Sequence, residues 1–273
     1  MWRIVILVIL VFILFAPIYS ELFHRFTERD SYYSHGFIIP FLSFYLVWRK
    51  RKVLKNITPQ PCIWGLIYLI FSLLVYLISL VLKINFLSYF SLPLVIFSIV
   101  LYLGGRKITR EIIFPIVFLI FMLPLPSVVI IGIAFHLKIL AAKSAVFLVK
   151  LLGMEVIREG STIYYPGGYL LVGDPCSGIR SLIAFLALGA FFSQFMLSNW
   201  IEKFILFVSS IFIAFFSNVV RVIFLLLVSY IYGKEVALGF IHDFSGIMVF
   251  ILGFLGLWGI SKLLRCRLVI ESI

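Results

Sequence analysis

The chain is poor in charge and poor in cysteine. Asp, Glu, Lys and Arg make up 12% of its 273 residues, against 64% apolar residues, which excludes an ordinary soluble domain with roughly 25% charged residues. Its three cysteines, Cys62, Cys176 and Cys266, form no even, closely spaced set, so neither a disulfide framework nor a zinc pattern is expected. The four histidines, His24, His35, His136 and His242, make no HExxH or comparable pair, and no metal or cofactor is expected. No internal repeat is visible, and the one proline-rich segment has no symmetric counterpart of the kind common in transporters.

What is abundant is uninterrupted apolar sequence. Repeated runs reach the ~20 residues that cross a hydrocarbon layer as a helix, so the fold class is an all-α polytopic membrane protein. A net charge of +12 would indicate nucleic acid in a soluble domain. Here the basic residues lie between apolar runs and read as topology signals, and no nucleic-acid partner is expected. Residues 4–19 follow a lone Arg3 like a signal peptide but lack a small-x-small cleavage site, and count as the first span. A second span runs from His35 to Trp48, ahead of the basic cluster Arg49-Lys50-Arg51-Lys52 with Lys55. Further spans are expected at 62–82, 86–103, from near Ile112 to 125–129 with Pro115, Pro124 and Pro126 kinking it, at Ser177 to about Leu197, Lys203 to about Tyr230 and Asp243 to Leu263. That makes eight. The basic cluster belongs in the cytoplasm, which puts both termini there and the chain in the cytoplasmic (inner) membrane as a multi-pass protein. Residues 128–152 carry His136, Lys143 and Lys150 every seven residues, although Lys138 faces nearly the opposite way, and are expected to form an interfacial helix at the outer surface. Ser161–Tyr165 and Tyr169–Val172, joined by Pro166-Gly167-Gly168, predict a short extracytoplasmic β-hairpin. The whole of 1–273 reads as one membrane-embedded domain with its chemistry in 173–246.

Three polar residues fall at the outer ends of the last three spans. Asp174 and Pro175 suit a helix entry, which places Cys176 at or near a helix N-terminus, where backbone N–H groups and the helix dipole favour a thiolate. Arg180, four residues on, would share its face and favour the thiolate further. The bland alternative is a small buried cysteine beside a capping Asp. Arg221 stands about 18 residues beyond Lys203, roughly 27 Å along a helix, with Ser217 and Asn218 on the same face. An arginine inside a membrane helix costs at least ~2.5 kcal/mol and calls for a partner or a task, unless it snorkels to the headgroups. His242 exchanges protons near neutrality, or else bonds a loop carbonyl at the interface. Together a thiol, a guanidinium and an imidazole supply a nucleophile, an oxyanion stabiliser and a proton shuttle. Cys62 and Cys266, at the cytoplasmic ends, are expected to be inert. His35, at the outer edge of the second span, binds substrate or caps its helix, the structural role being favoured; His136 is expected to be interfacial.

Four stretches carry a resemblance: Tyr33-Ser34-His35-Gly36 with Ile39-Pro40 and Trp48-Arg49, Cys176-Ser177-Gly178-Ile179-Arg180-Ser181, Ser217-Asn218-Val219-Val220-Arg221-Val222, and His242-Asp243-Phe244-Ser245-Gly246. In this order and spacing they resemble the exosortase/archaeosortase family of membrane-embedded cysteine transpeptidases, the bacterial branch more than the archaeal. With few residues after the eighth span, the extra extracytoplasmic domain of some bacterial members is not expected. The resemblance implies that secreted proteins ending in a Pro-Glu-Pro-type motif, a transmembrane helix and a basic tail are cleaved at the outer face. Cys176 would form a thioester, Arg221 would stabilise the oxyanion or orient the thiolate, and His242 would move the protons. The partners implied are those proteins and membrane lipids. Further expected roles are Asp174 and Asp243 orienting His242, Arg180 holding a substrate acid or lipid phosphate, and Asn218 and His35 in substrate binding or orientation. The rival readings are a transporter or channel in which Arg221 and His242 bind an ion or solute, and a lipid- or acyl-transferase using His242 as base with Cys176 only packed. Substrate identity, acceptor and oligomeric state are not specified by the sequence.

Overall fold

The computed structural model describes residues 2–28, 31–197, 199–264 and 267–268. It divides into two compact units, Met1–Pro126 and Ser127–Ile273. The protein is an all-α polytopic membrane protein, with a small sheet in the second unit.

In the first unit the expected first span is two helices, α1 (Trp2–Leu14) and α2 (Ala16–Thr27). They part at Phe15, which is fully buried and stacks on Tyr76 with ring centroids 4.6 Å apart. After α3 (Ile38–Arg49) and the short α4 (Arg51–Lys55), α5 (Ile63–Leu82) and α6 (Asn85–Phe118) form an antiparallel hairpin turned by left-handed Lys83. Buried Ser72 and Ser79 on α5 and Ser88, Ser91 and Ser98 on α6 let the two backbones approach closely. α6 contains the fourth expected span and the first part of the fifth, which continues in a 3-10 turn over Leu119–Met122 and ends in non-helical chain before Ser127. Gly105, at φ 77°, ψ −178°, breaks α6 into two arms, a conformation that favours glycine. In the second arm Pro115 has no N–H to give the Glu111 carbonyl one turn earlier. Lys50 supplies the missing donor from α3, its Nζ lying 2.6 Å from that carbonyl and 3.1 Å from the Glu111 carboxylate. Ser43 donates to the Pro115 carbonyl at 2.8 Å.

The second unit begins with α7 (Ser127–Leu151), followed by β1 (Ile157–Glu159), β2 (Thr162–Tyr165) and β3 (Gly168–Leu171). The strands form an antiparallel meander with Glu159 opposite Thr162 and Thr162 opposite Leu171. The predicted hairpin is thus β2–β3, and β1 is an added strand whose Arg158 and Glu159 hide strand character from a hydrophobic pattern. Next come α8 (Ile179–Ser193), α9 (Trp200–Tyr232), α10 (Lys234–Leu238) and α11 (Phe240–Leu263). Two-residue strands β4 (Met196–Leu197) and β5 (Arg267–Leu268) pair with each other. Asn199 caps α9 by accepting from the Glu202 N–H.

One apolar core joins Ala141, Ala145 and Val149 of α7, Ile163 and Leu170 of the sheet, and Val222 and Leu225 of α9, with Cys176 at its edge. A second, around Phe185, Leu206, Ala214 and Val249, joins α8, α9 and α11. Tyr165 reaches Ser229 of α9, with hydroxyl oxygens 2.6 Å apart. Lys234 donates to the Tyr169 hydroxyl at 2.7 Å and holds that phenol below its usual pKa.

Among the described residues, six stretches are long and apolar enough to cross a membrane: Ile63–Leu82, Asn85–Met122, Ser127–Leu151, Asp174–Ser193, Trp200–Tyr232 and Phe240–Leu263. The first two expected spans are the shorter α1/α2 and α3. α7 differs from the amphipathic surface helix expected of 128–152. One side packs on α9, and Val128, Ile131, Phe135, Phe147 and Leu151 are exposed on the rest, so the basic stripe is only a narrow seam on an apolar surface.

Candidate active site

The site is assembled from a loop and two helices of the second unit. Val172 anchors the end of β3 in the core, and the chain then makes a 3-10 turn over Asp174–Cys176, closed by the Cys176 N–H on the Gly173 carbonyl (3.0 Å) and the Ser177 N–H on the Asp174 carbonyl (3.1 Å). Gly178, at φ 85°, then swings the chain into α8. A side chain there would be doubly unfavourable: the backbone is left-handed, and a Cβ would lie 2.8 Å from Cγ and Nδ2 of Asn218. Asn218 occupies that space because it holds the loop, its Nδ2 donating to the Cys176 carbonyl at 3.0 Å. From α7, Lys138 pairs with Asp174 at 2.8 Å.

α9 buries a continuous face through Leu206, Ser210, Ala214, Ser217, Asn218, Val222 and Leu225, with spacings of three and four residues apart from the adjacent Ser217 and Asn218. Asn218 and Arg221, three apart on that helix, reach the same loop. α11 follows a tight connection in which Gly233 and Gly239 flank α10, so His242 falls in its first turn, its N–H on the Gly239 carbonyl.

These elements bring Cys176, Arg221 and His242 together. Cys176 is 5% exposed, and its Sγ lies 3.3 Å from His242 Nε2. Arg221 Nη2 lies 3.2 Å from the same Nε2 and 3.2 Å from the His242 carbonyl, while Nη1 donates to the Pro175 carbonyl at 3.1 Å and Nε to Ser245 Oγ at 2.8 Å. A guanidinium only donates, so in this geometry Nε2 is an acceptor and the thiol is the proton source facing it. A base at hydrogen-bond distance from a thiol, with a fixed cation beside both, is the arrangement that acyl transfer through sulfur requires.

Other sequence candidates fall elsewhere. Cys176 precedes α8 on its own turn and Gly178 interrupts the helix, so Arg180 is not one turn along a shared helical face from it, as the spacing predicted; Arg180 is half-buried in the first turn of α8. Asp174 points its carboxylate at Lys138, an ion pair that the orienting role on His242 did not foresee. The side chain of Asp243 lies outside the described residues, as does Cys266. His35 belongs to the first unit, where its Nε2 lies 3.2 Å from the Phe121 carbonyl and the neighbouring Tyr33 hydroxyl accepts the Leu125 N–H. His136 bonds the Gly132 carbonyl of its own helix and is exposed. Cys62 is half-buried in the first unit.

Two residues escaped the sequence reading. Lys138 was visible as the one cation out of phase with the α7 stripe, and that phase turns it toward the loop. Ser245 lay inside a recognised motif with nothing to distinguish it from a helix-packing serine. Beside the loop, Leu137, Leu140, Gly178, Leu182, Phe212 and Phe216 help line a cavity of about 370 Å³. Among the described residues, no three His, Cys, Asp or Glu side chains gather to hold a metal ion.

The sequence profile of the transmembrane exosortases matches residues 27–259 and so covers the chain from the last residue of α2 well into α11. No curated protein and no solved structure matches. With that profile spanning most of its length, the chain belongs to the transmembrane exosortase family, integral membrane proteins of transpeptidase type.

Proposed function

We propose that this exosortase cleaves the C-terminal sorting tails of secreted proteins through a thioester on Cys176, at the outer face of the cytoplasmic membrane. The observation that carries the reading is the 3.3 Å approach of Cys176 Sγ to His242 Nε2, with Arg221 bonded to the same imidazole. The thiol proton passes to Nε2, and the thiolate adds to the scissile carbonyl. Once Nε2 bears a proton it no longer accepts from Arg221, and that N–H is released to donate to the developing oxyanion. Collapse breaks the C–N bond, His242 gives its proton to the leaving amine, and the acyl group remains on sulfur. An incoming amine, hydroxyl or water then loses a proton to His242, attacks the thioester and restores the thiol.

The length of α9 supports the location. Its 33 residues span roughly 50 Å, against a hydrocarbon layer of about 30 Å. If Trp200 marks the inner boundary, Arg221 emerges at about 32 Å, at the opposite surface, where a substrate held by its own helix arrives by lateral diffusion. The apolar cavity runs from Asn218 back toward Ile211, in the direction that the segment after the scissile bond would take. The proposed partners are proteins ending in a Pro-Glu-Pro-type motif, a helix and a basic tail, with membrane lipids around them.

The test is co-expression with a secreted reporter carrying such a tail. The reporter is shortened by the parent chain and stays full length with Cys176→Ala at equal protein level. Wild-type processing by Cys176→Ala rejects the nucleophile.

A further inference from the structure

We infer that Ser245 is a positioning residue that locks Arg221 onto the His242 imidazole. The inference rests on the assignment of Cys176, Arg221 and His242 as the reacting set. Ser245 is fully buried, one turn along α11 from His242, and touches both partners. Arg221 Nε donates to its Oγ at 2.8 Å, and Oγ donates to the His242 carbonyl at 2.6 Å. The direction of both bonds is fixed, because Nε–H has no lone pair to offer and a carbonyl has no proton. Arg221 Nη2 reaches that same carbonyl at 3.2 Å and closes a ring of hydrogen bonds.

The ring has a chemical consequence. A guanidinium is a planar fork, and fixing Nε on one edge fixes where both Nη groups point. Nη1 then meets the Pro175 carbonyl beside the nucleophile, and Nη2 meets the imidazole. A helix-packing serine usually donates to its own i−3 or i−4 carbonyl and does nothing more. Ser245 makes that local bond and spends its acceptor on a side chain of another helix, 24 residues away in sequence. Deleting the hydroxyl leaves Arg221 charged and held through its Nη groups on Pro175 and His242, but with its Nε edge no longer fixed, so the cation is kept while its aim is loosened.

The test uses the full-length protein in detergent, with iodoacetamide as the probe and the Cys176 peptide quantified by mass spectrometry across pH. Ser245→Ala is expected to move the midpoint of the alkylation profile by at least about half a pH unit and to slow reporter processing ~10–100-fold at equal protein level. Ser245→Thr keeps the hydroxyl and is expected to restore the parent midpoint, with processing within about threefold. An unshifted Ser245→Ala profile with processing within about twofold overturns the inference. So does a Ser245→Thr variant displaced as far as Ser245→Ala, since that marks Ser245 as packing alone. If Thr is too large for the buried site and the protein does not accumulate, Ser245→Cys, scored at the Cys176 peptide, replaces it, and the same two outcomes decide. The alkylation profile reads Ser245 even where no reporter is processed, so loss of the transpeptidase reading and loss of this one are distinguishable.

Discussion

Replacing Arg221 by lysine keeps the charge and removes the fork, which separates the two things an arginine offers. Arg221 uses three nitrogens: Nε on Ser245, Nη1 on the Pro175 carbonyl and Nη2 on the carbonyl and ring of His242. A lysine brings one nitrogen with no planar fork, so at least one charge-assisted bond is lost. Such a bond is worth about 1.5–3 kcal/mol, which at about 1.36 kcal/mol per decade slows the reaction ~10–150-fold. Alanine removes the cation as well, and losing a preorganised donor at an oxyanion costs ~10²–10³-fold by itself. The predicted order is therefore parent, Arg221→Lys, Arg221→Ala, measured as pulse-chase processing of the tailed reporter in cells with variants matched for membrane protein level. Processing by Arg221→Lys within threefold of the parent, together with Arg221→Ala within tenfold, would refute the claim that guanidinium geometry matters.

Two further outcomes are expected. Gly178→Ala places a side chain in a left-handed backbone at about 1–2 kcal/mol and drives its Cβ into Asn218. It should lower the thermal midpoint of the purified protein and slow processing at least tenfold, and a variant like the parent in both would show that the turn tolerates a Cβ. Lys234→Cys, half-buried at the start of α10 between exposed Gly233 and Glu235, should react with a membrane-impermeant maleimide in intact cells, whereas native Cys62 should react only after permeabilisation; the reverse pattern places the site on the cytoplasmic side.

Apolar run length and turn chemistry made most of the helices legible in the sequence. The eight expected spans are mostly helical, since a stretch of twenty apolar residues has few other ways to satisfy its backbone. Among the described residues, however, six stretches reach membrane length: the fourth and fifth expected spans merge, α7 is added, and the first two are shorter. What the sequence hid was local geometry. The break in α6 is set by the backbone of Gly105, a residue that by type alone is as ordinary as its neighbour Gly104. The spacing of Cys176 and Arg180 read as one helical face because nothing in the letters announces that Gly178 turns left-handed. Proximity at the site was readable only by height, from counting residues along α9. The bonds that fix it, Asn218 to the Cys176 carbonyl and Ser245 to Arg221, are contacts across 42 and 24 residues that no periodicity encodes. Asp174 shows the converse limit: its type suited a helix cap or an imidazole partner, and a lysine from α7 holds it instead.

The central claim is that sulfur 176 carries the acyl group. The direct measurement is intact-mass and peptide analysis of the full-length protein after brief incubation with the tailed reporter in membranes, followed by acid quench. The account predicts an adduct on the Cys176 peptide equal in mass to the upstream reporter fragment, released by hydroxylamine and absent from Cys176→Ala. Turnover of the reporter with the Cys176 peptide unmodified, or an adduct on another residue, would contradict it.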